Sequence, residues 1–447
     1  MFLALWLRPR SVMELAERVP GTDNVIGEEP SLVVEGDVFS GKLVVGDGVP
    51  ADLPGVWPRF RGEGFDAISK EKVALTRTWS EGEPKVLWGI DMGEGHAGAA
   101  VLNGRVYVLD YDAEAQEDAL LCLSLADGRE IWRYSYPVSV KRNHGMSRTI
   151  PAVTEKYVVS LGPMCHVLCV DAVSGEFLWA FDLIKQFNTV VPEWYAGQCP
   201  LIDGNLAILS PGNDALMMAV DCATGEIVWK TPNPNDWKMT HVSIMPMEFA
   251  GRRMYIYCGS GGVAGISADD GAILWETTDW KISIATVPSP VVIGDGRIFF
   301  SGGYNSGSMM MRLKEENGNL VPETLHRLTP KVFGSDQQTP VLFKDHIYGV
   351  RPDKQLVCID LDGNPVWNSG PINRFGIGPY MIAGNMIYVL DDAGLLTLAE
   401  AKPGGYNQLA QAQVLHGHDA WGPMAMVGGR LIVRDLTRMI CLDVTGK

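Results

Sequence analysis

The chain has 447 residues, 46% of them hydrophobic and 50 of them glycine, and carries a formal net charge of −16 at pH 7. Such a length would fill two or three ordinary domains, unless one unit grows by repetition. So acidic a balance argues against nucleic acid or an anionic membrane surface as partner, since both need a basic footprint.

Residues 1–80 stand apart as an N-terminal extension, because the repeat that fills residues 81–447 is absent from them. Met1-Phe-Leu-Ala-Leu-Trp-Leu7 is apolar but far too short to span a bilayer. It also lacks the basic start and small-residue cleavage site of a signal peptide. Two readings remain: an amphipathic helix running through Val19, or the stump of a longer export or anchor segment, which Arg8 and Arg10 would suit. Any membrane association would come through such an anchor. From Val25 to Val45 the pattern reads as a few extended segments bounded by Gly and Pro. Trp57-Pro-Arg-Phe-Arg-Gly62 follows, an aromatic and arginine cluster that reads as a plug or brace packed on one face of what comes next.

The dominant feature is a phrase repeated eight times at steps of 41 to 51 residues. Its clear copies end in Trp132, Trp179, Trp229, Trp275 and Trp367, as in Asp171-Ala-Val-Ser-Gly-Glu-Phe-Leu-Trp179. Trp88 stands alone near the start, and His326 and His416 take the Trp place in two weaker copies. A fixed period of this length marks a radial or solenoidal repeat. Each period holds about four short apolar runs without helical periodicity, jointed by pairs such as Asn103-Gly104 and Gly428-Gly429 that supply the positive φ of tight hairpins. The fold class is therefore all-β, an eight-bladed propeller of four-stranded blades. The six tryptophans are structural, each on an outer strand and lying flat against the next blade. The chain ends in mid-phrase, so the strand bearing Trp88 is expected to complete the last blade and hide two sheet edges.

Cys122, Cys169, Cys358 and Cys441 occupy equivalent third-strand positions in separate blades, too far apart to bridge, and read as small buried hydrophobes. Gly93-Glu-Gly95-His-Ala-Gly98 matches a dinucleotide fingerprint in letters alone, since a strand follows it where a helix is needed.

Seven blades open with a Pro before the inner strand, so the residues just upstream converge on one mouth of the central channel. Around the ring they are His96, then His144 and Arg148, then Trp194, Tyr195 and Gln198, then His241. Lys281, Gln338, Arg374 and finally His418, Asp419 and Trp421 complete the circle. Imidazoles, cations and aromatic faces together suit a small polar or anionic ligand. The same histidines, His96, His144, His241 and His418, would alternatively hold a divalent metal. The plain alternative is a solvated channel wall.

The phrase Asp-x-x-x-Gly-x-x-x-Trp on eight outer strands, with the Trp57 to Gly62 lead-in, resembles the pyrroloquinoline-quinone-type (PQQ-like) repeat family over residues 57–447. The resemblance implies an eight-bladed ring and a periplasmic or cell-surface location. It implies two kinds of function. Quinoprotein dehydrogenases of the family oxidise alcohols and sugars with PQQ, whereas cofactor-free members, such as the propeller lipoprotein of the outer-membrane β-barrel assembly machine, act as scaffolds. The adjacent cysteine pair that covers the quinone in many of those dehydrogenases has no counterpart here, and their calcium-binding Glu and Asn match no motif. Asp419 is a candidate base by position alone. The expected function is a non-catalytic binding or scaffold protein without a cofactor, taking a protein partner or a small polar ligand. The alternative is a quinone-dependent or metal-assisted oxidoreductase.

Overall fold

The computed structural model describes residues 38–79 and 82–446, so the readings on Met1–Leu7 and on the first part of the Val25–Val45 stretch lie outside the described residues. Within them, eight sheets follow one another around the ring, each with four antiparallel strands at its core, consecutive in blades 1 to 7. Blade 1 comprises Ala100–Leu102, Arg105–Asp112, Glu117–Ser124 and Glu130–Pro137, from the channel outward. Blades 2 to 7 span residues 152–182, 201–231, 245–277, 291–328, 341–368 and 380–413. In blade 8, Ala425–Val427, Arg430–Arg434 and Arg438–Asp443 are completed by Lys85–Asp91, with Trp88 opposite Cys441. The ring therefore closes as the truncated last phrase requires. Among the described residues, the one helix longer than a single 3-10 turn is Leu183–Phe187, capped by the Asp182 carboxylate.

Register explains the repeat. In blade 1, Trp132 pairs with Cys122, and a bulge follows at once. The same pairing and bulge recur at Cys169–Trp179, Ala219–Trp229, Gly265–Trp275, Met310–His326 and Cys358–Trp367. The cysteines face a bulky indole across the sheet, so only a small residue fits there, and all eight are buried thiols. In blade 7, however, the position before the bulge belongs to Ala410, opposite Leu398. His416 is thus not a docking residue: it is exposed beyond the strand Gln408–Gln413. The wide turn through Pro403, Gly404 and Gly405 shifts the register, so counting back from the apolar Val414-Leu415 misplaced it.

Two further belts hold the ring. Toward the mouth, small polar side chains lace blades 2 to 6 each to the next. The amide of Ile150 donates to Cys199 Sγ, Cys199 N to Ser243 Oγ, Ser243 N to Ser289 Oγ and Ser289 N to Thr339 Oγ1, at 2.9–3.2 Å. These amides lie two residues ahead of the inner strands, outside the sheet ladder, so the side chain of the next blade satisfies them.

At the hairpin end, the lead-in segment crosses from blade to blade. Trp57 exchanges two backbone hydrogen bonds with Val101, Pro58 O accepts from Val153 N, and Arg59 reaches Ile202 O. Arg61, 6% exposed, donates to Phe65 O, Thr339 O and Pro340 O. Ile68–Ser69 then pairs in parallel with Tyr380–Ala383, and Glu71 accepts from Gly428 N. Blades 1, 2, 3, 6, 7 and 8 are all touched, which is what the plug reading of Trp57 to Gly62 anticipates. Upstream, Lys42–Val45 adds a fifth strand to the outer edge of blade 1, with Val44 opposite Arg133. Extension and ring are thus interwoven from Val38 onward.

Candidate functional site

With the hairpin end bridged, the opposite mouth carries the candidate site. Its loops enter each inner strand at its amino end, and backbone lacing fixes the first two. His96 N donates to Ser147 O at 2.7 Å and Met146 N to Glu94 O at 2.9 Å. Into this lacing fits His96, 6% exposed, whose Nε2 lies 2.8 Å from His144 O. A carbonyl only accepts, so Nε2 carries the proton and Nδ1 is a bare acceptor. The backbone of His144 stands at φ +51°, and its carbonyl also receives Arg148 Nη2, which reaches the carbonyls of Asn143 and Gly145 as well.

Arg148 is the electrostatic centre of this half of the mouth. Among the described residues no carboxylate pairs with it, and its Nε is shielded without an acceptor. Burial pushes its guanidinium down to about 10. Burial first, and the Arg148 charge second, push His241 down to about 4 and hold His96 well below the usual histidine range. Both imidazoles are therefore neutral near pH 7, and His241 presents a shielded, unpartnered Nε2. Trp194 lies beside His241, ring centroids 6.3 Å apart, and is parallel to Tyr304 of blade 5 within 3° at 6.5 Å. The hydroxyl of Tyr195 ties this loop to Lys141 O.

The other half is organised around Trp421. Its indole donates to Asp392 Oδ1 at 2.8 Å, its carbonyl accepts from Gln338 Nε2 at 3.0 Å, and its ring lies 5.0 Å from that of His96. Four expected site residues stand outside these contacts. Gln198 is 1% exposed and exchanges hydrogen bonds with the backbone of Ser210, so it braces a strand. Lys281 and Arg374 are exposed, the latter bonded to Pro371 O. The His418 imidazole lies out at the rim, 3.2 Å from the Asp419 carboxylate.

The four-histidine metal reading is corrected accordingly. Among the described residues no three or more His, Cys, Asp or Glu side chains are grouped to hold a metal. The ring sets equivalent positions on a circle, and His96 is spent on a carbonyl while His418 faces outward. No two cysteines are adjacent in the sequence. Sequence reasoning missed Tyr304, which sits in a hairpin rather than an entry loop. It also missed the Ser243–Ser289–Thr339 belt, whose signal was a small polar residue recurring just ahead of the inner strands.

Fold, bulged register and mouth together define an eight-bladed propeller built of PQQ-type repeats. A family model described as outer membrane protein assembly factor BamB matches residues 118–369, more than half of the chain, and the chain belongs to that family. No curated protein matches it. Among solved structures, BamB from Moraxella catarrhalis superposes with a TM-score of 0.56 at 13% identity, covering 80% of this chain and 100% of that one. A europium-containing methanol dehydrogenase gives 0.61 at 12% identity, over 86% of this chain and 89% of the other. The computationally designed Ika8 protein gives 0.54 at 10% identity, over 80% and 99%. Identities this low speak to the fold alone. No helix among the described residues is long and apolar enough to cross a membrane.

Proposed function

We propose that this chain is a non-catalytic, exported propeller that works as a binding or scaffold protein, in the periplasm or at the cell surface, and that its contact face is the channel mouth. In keeping with the family's description, the partner would belong to outer-membrane protein assembly. The observation that carries this reading is the inequality of the two ends. The hairpin end is bridged by residues 51–75, whereas the mouth loops expose Val190, Ile284, Tyr304 and Ile372, the last at 92%, close in sequence to Lys281 and Arg374. Apolar side chains rimmed by charge are the usual composition of a protein contact.

A photoreactive residue at Ile284 or Ile372, installed in the native cells, is expected to give one discrete cross-linked product, and the same residue at Val173 on an outer turn none. Calorimetric titration with PQQ and divalent cations supplies the opposing test. Stoichiometric binding that disappears in a His144→Ala, His241→Ala double variant would replace the scaffold reading with a cofactor-dependent one.

A further inference from the structure

The polar groups around Arg148 are unsatisfied in a complementary way. Its Nε is a shielded donor without an acceptor, and Nε2 of His241, together with Nδ1 of His96, is a shielded acceptor without a donor. Groups so placed cost on the order of 1–3 kcal/mol each unless something supplies their partners. A cation without a carboxylate costs more again. An anionic acceptor and hydroxyl donors are the kinds of partner these groups lack. A bare anion would not supply both, because neutral imidazole nitrogens present lone pairs toward it.

Beside these groups lies an accessible platform. Tyr304 is 38% exposed, and Trp194 shares its ring orientation. Trp194, Tyr195 and Tyr304 all hold left-handed backbone conformations, φ +63°, +71° and +54°. Bulky residues adopt that region at a cost of roughly 1–3 kcal/mol, and such strain gathers where a side chain is held for a purpose. Flat aromatic faces beside a guanidinium and two hydroxyl acceptors match a saturated ring with an apolar C–H face, hydroxyls at its edge and one carboxylate.

We propose that the mouth is a binding site for an acidic sugar, a pyranose carrying a carboxylate, with its ring against Trp194 and Tyr304, its carboxylate on Arg148 and a hydroxyl donating to His241 Nε2. The assignment rests on the mouth being the contact face, and it names a ligand class for the blade 3 to blade 5 side of that face. No bond is made or broken.

The test is calorimetric titration of the full chain with three probes: D-glucuronate, with ring, hydroxyls and charge; D-glucose, lacking the charge; and propionate, lacking ring and hydroxyls. Glucuronate is expected to bind at least about tenfold more tightly than either. Trp194→Ala and His241→Phe should each weaken it by about tenfold or more, with unchanged melting temperature. Arg148→Gln should abolish binding, but three loop carbonyls depend on this side chain, so the two former variants carry the decision if it misfolds. Absence of saturable glucuronate binding, or binding that both variants retain, would overturn the proposal. An Ile284→Ser, Ile372→Ser variant carrying the photoreactive residue at Val190 instead separates the two readings, since it should lose the cross-linked partner and keep glucuronate.

Discussion

The indole of Trp132 in blade 1 lies against Gly175 in the outer turn of blade 2, so closely that a Cβ on Gly175 would come within 2.6 Å of Trp132 Cδ2. Trp132 Nε1 donates to Val173 O of the same turn at 3.1 Å. Trp88 on Gly128, Trp179 on Gly225 and Trp229 on Gly271 repeat the contact, each glycine at φ +74°. The Gly and the Trp of the repeated phrase thus belong to two different interfaces: each glycine receives the tryptophan of the blade before it.

Gly175→Ala should therefore unite a steric clash with left-handed strain at φ +76°. A loss of about 2–4 kcal/mol is expected, read as a lowered denaturation midpoint. Gly204→Ala is the control, because φ is +61° but nothing lies within 4 Å of the added Cβ. It should lose only the strain of the left-handed backbone, about 1–2 kcal/mol.

The mouth-side belt predicts a different kind of loss. Ser243→Ala removes a hydroxyl that is 3% exposed and strands the buried amide of Cys199. A cost of about 1–3 kcal/mol is expected, with faster hydrogen exchange at the Cys199 amide than in wild type. Unchanged exchange there would show that the belt does not hold the inner strands.

Asp118 gives a pH signature. It is fully buried, its Oδ2 accepts from Tyr136 OH at 2.7 Å, and burial pushes its carboxyl up to about 7. The folded state then binds the proton more tightly than the unfolded chain. This contribution to stability is complete below the ordinary carboxyl range and is lost as pH rises toward 7. Asp118→Asn mimics the protonated form, so its stability relative to wild type should climb between pH 5 and 8 by roughly 2–4 kcal/mol. Denaturant melts across that window measure the difference, and a flat difference would refute the assignment.

The fifth strand of blade 1 is testable alone. Val44→Pro removes an amide opposite Arg133 and should release Lys42–Val45 from the edge. Faster exchange of the amides of residues 131–135 is expected, with a stability loss of about 1–3 kcal/mol and an intact ring.

The sequence by itself determined the ring. A Gly and a Trp at fixed spacing need neighbours on both sides, and eight such periods, one of them marked by the isolated Trp88, make a closed ring. Local spacing carries that information because blades 1 to 7 are each folded from contiguous chain. Blade 7 shows its limit: a longer turn moved the docking position to Ala410, which no Trp or His marks. The mouth was legible as a circle of residue types, but not as a site. Only tertiary structure decided that His96, Arg148, Trp194 and His241 adjoin, that Gln198 turns into a strand, and that Lys281, Arg374 and His418 face solvent. Tyr304 joined the cluster from a hairpin of blade 5, and Arg61 reached Thr339 and Pro340 across some 280 residues of chain. Those relations follow from the angles between blades and from loop conformations at positive φ, which are set by packing around the whole ring rather than by any one repeat.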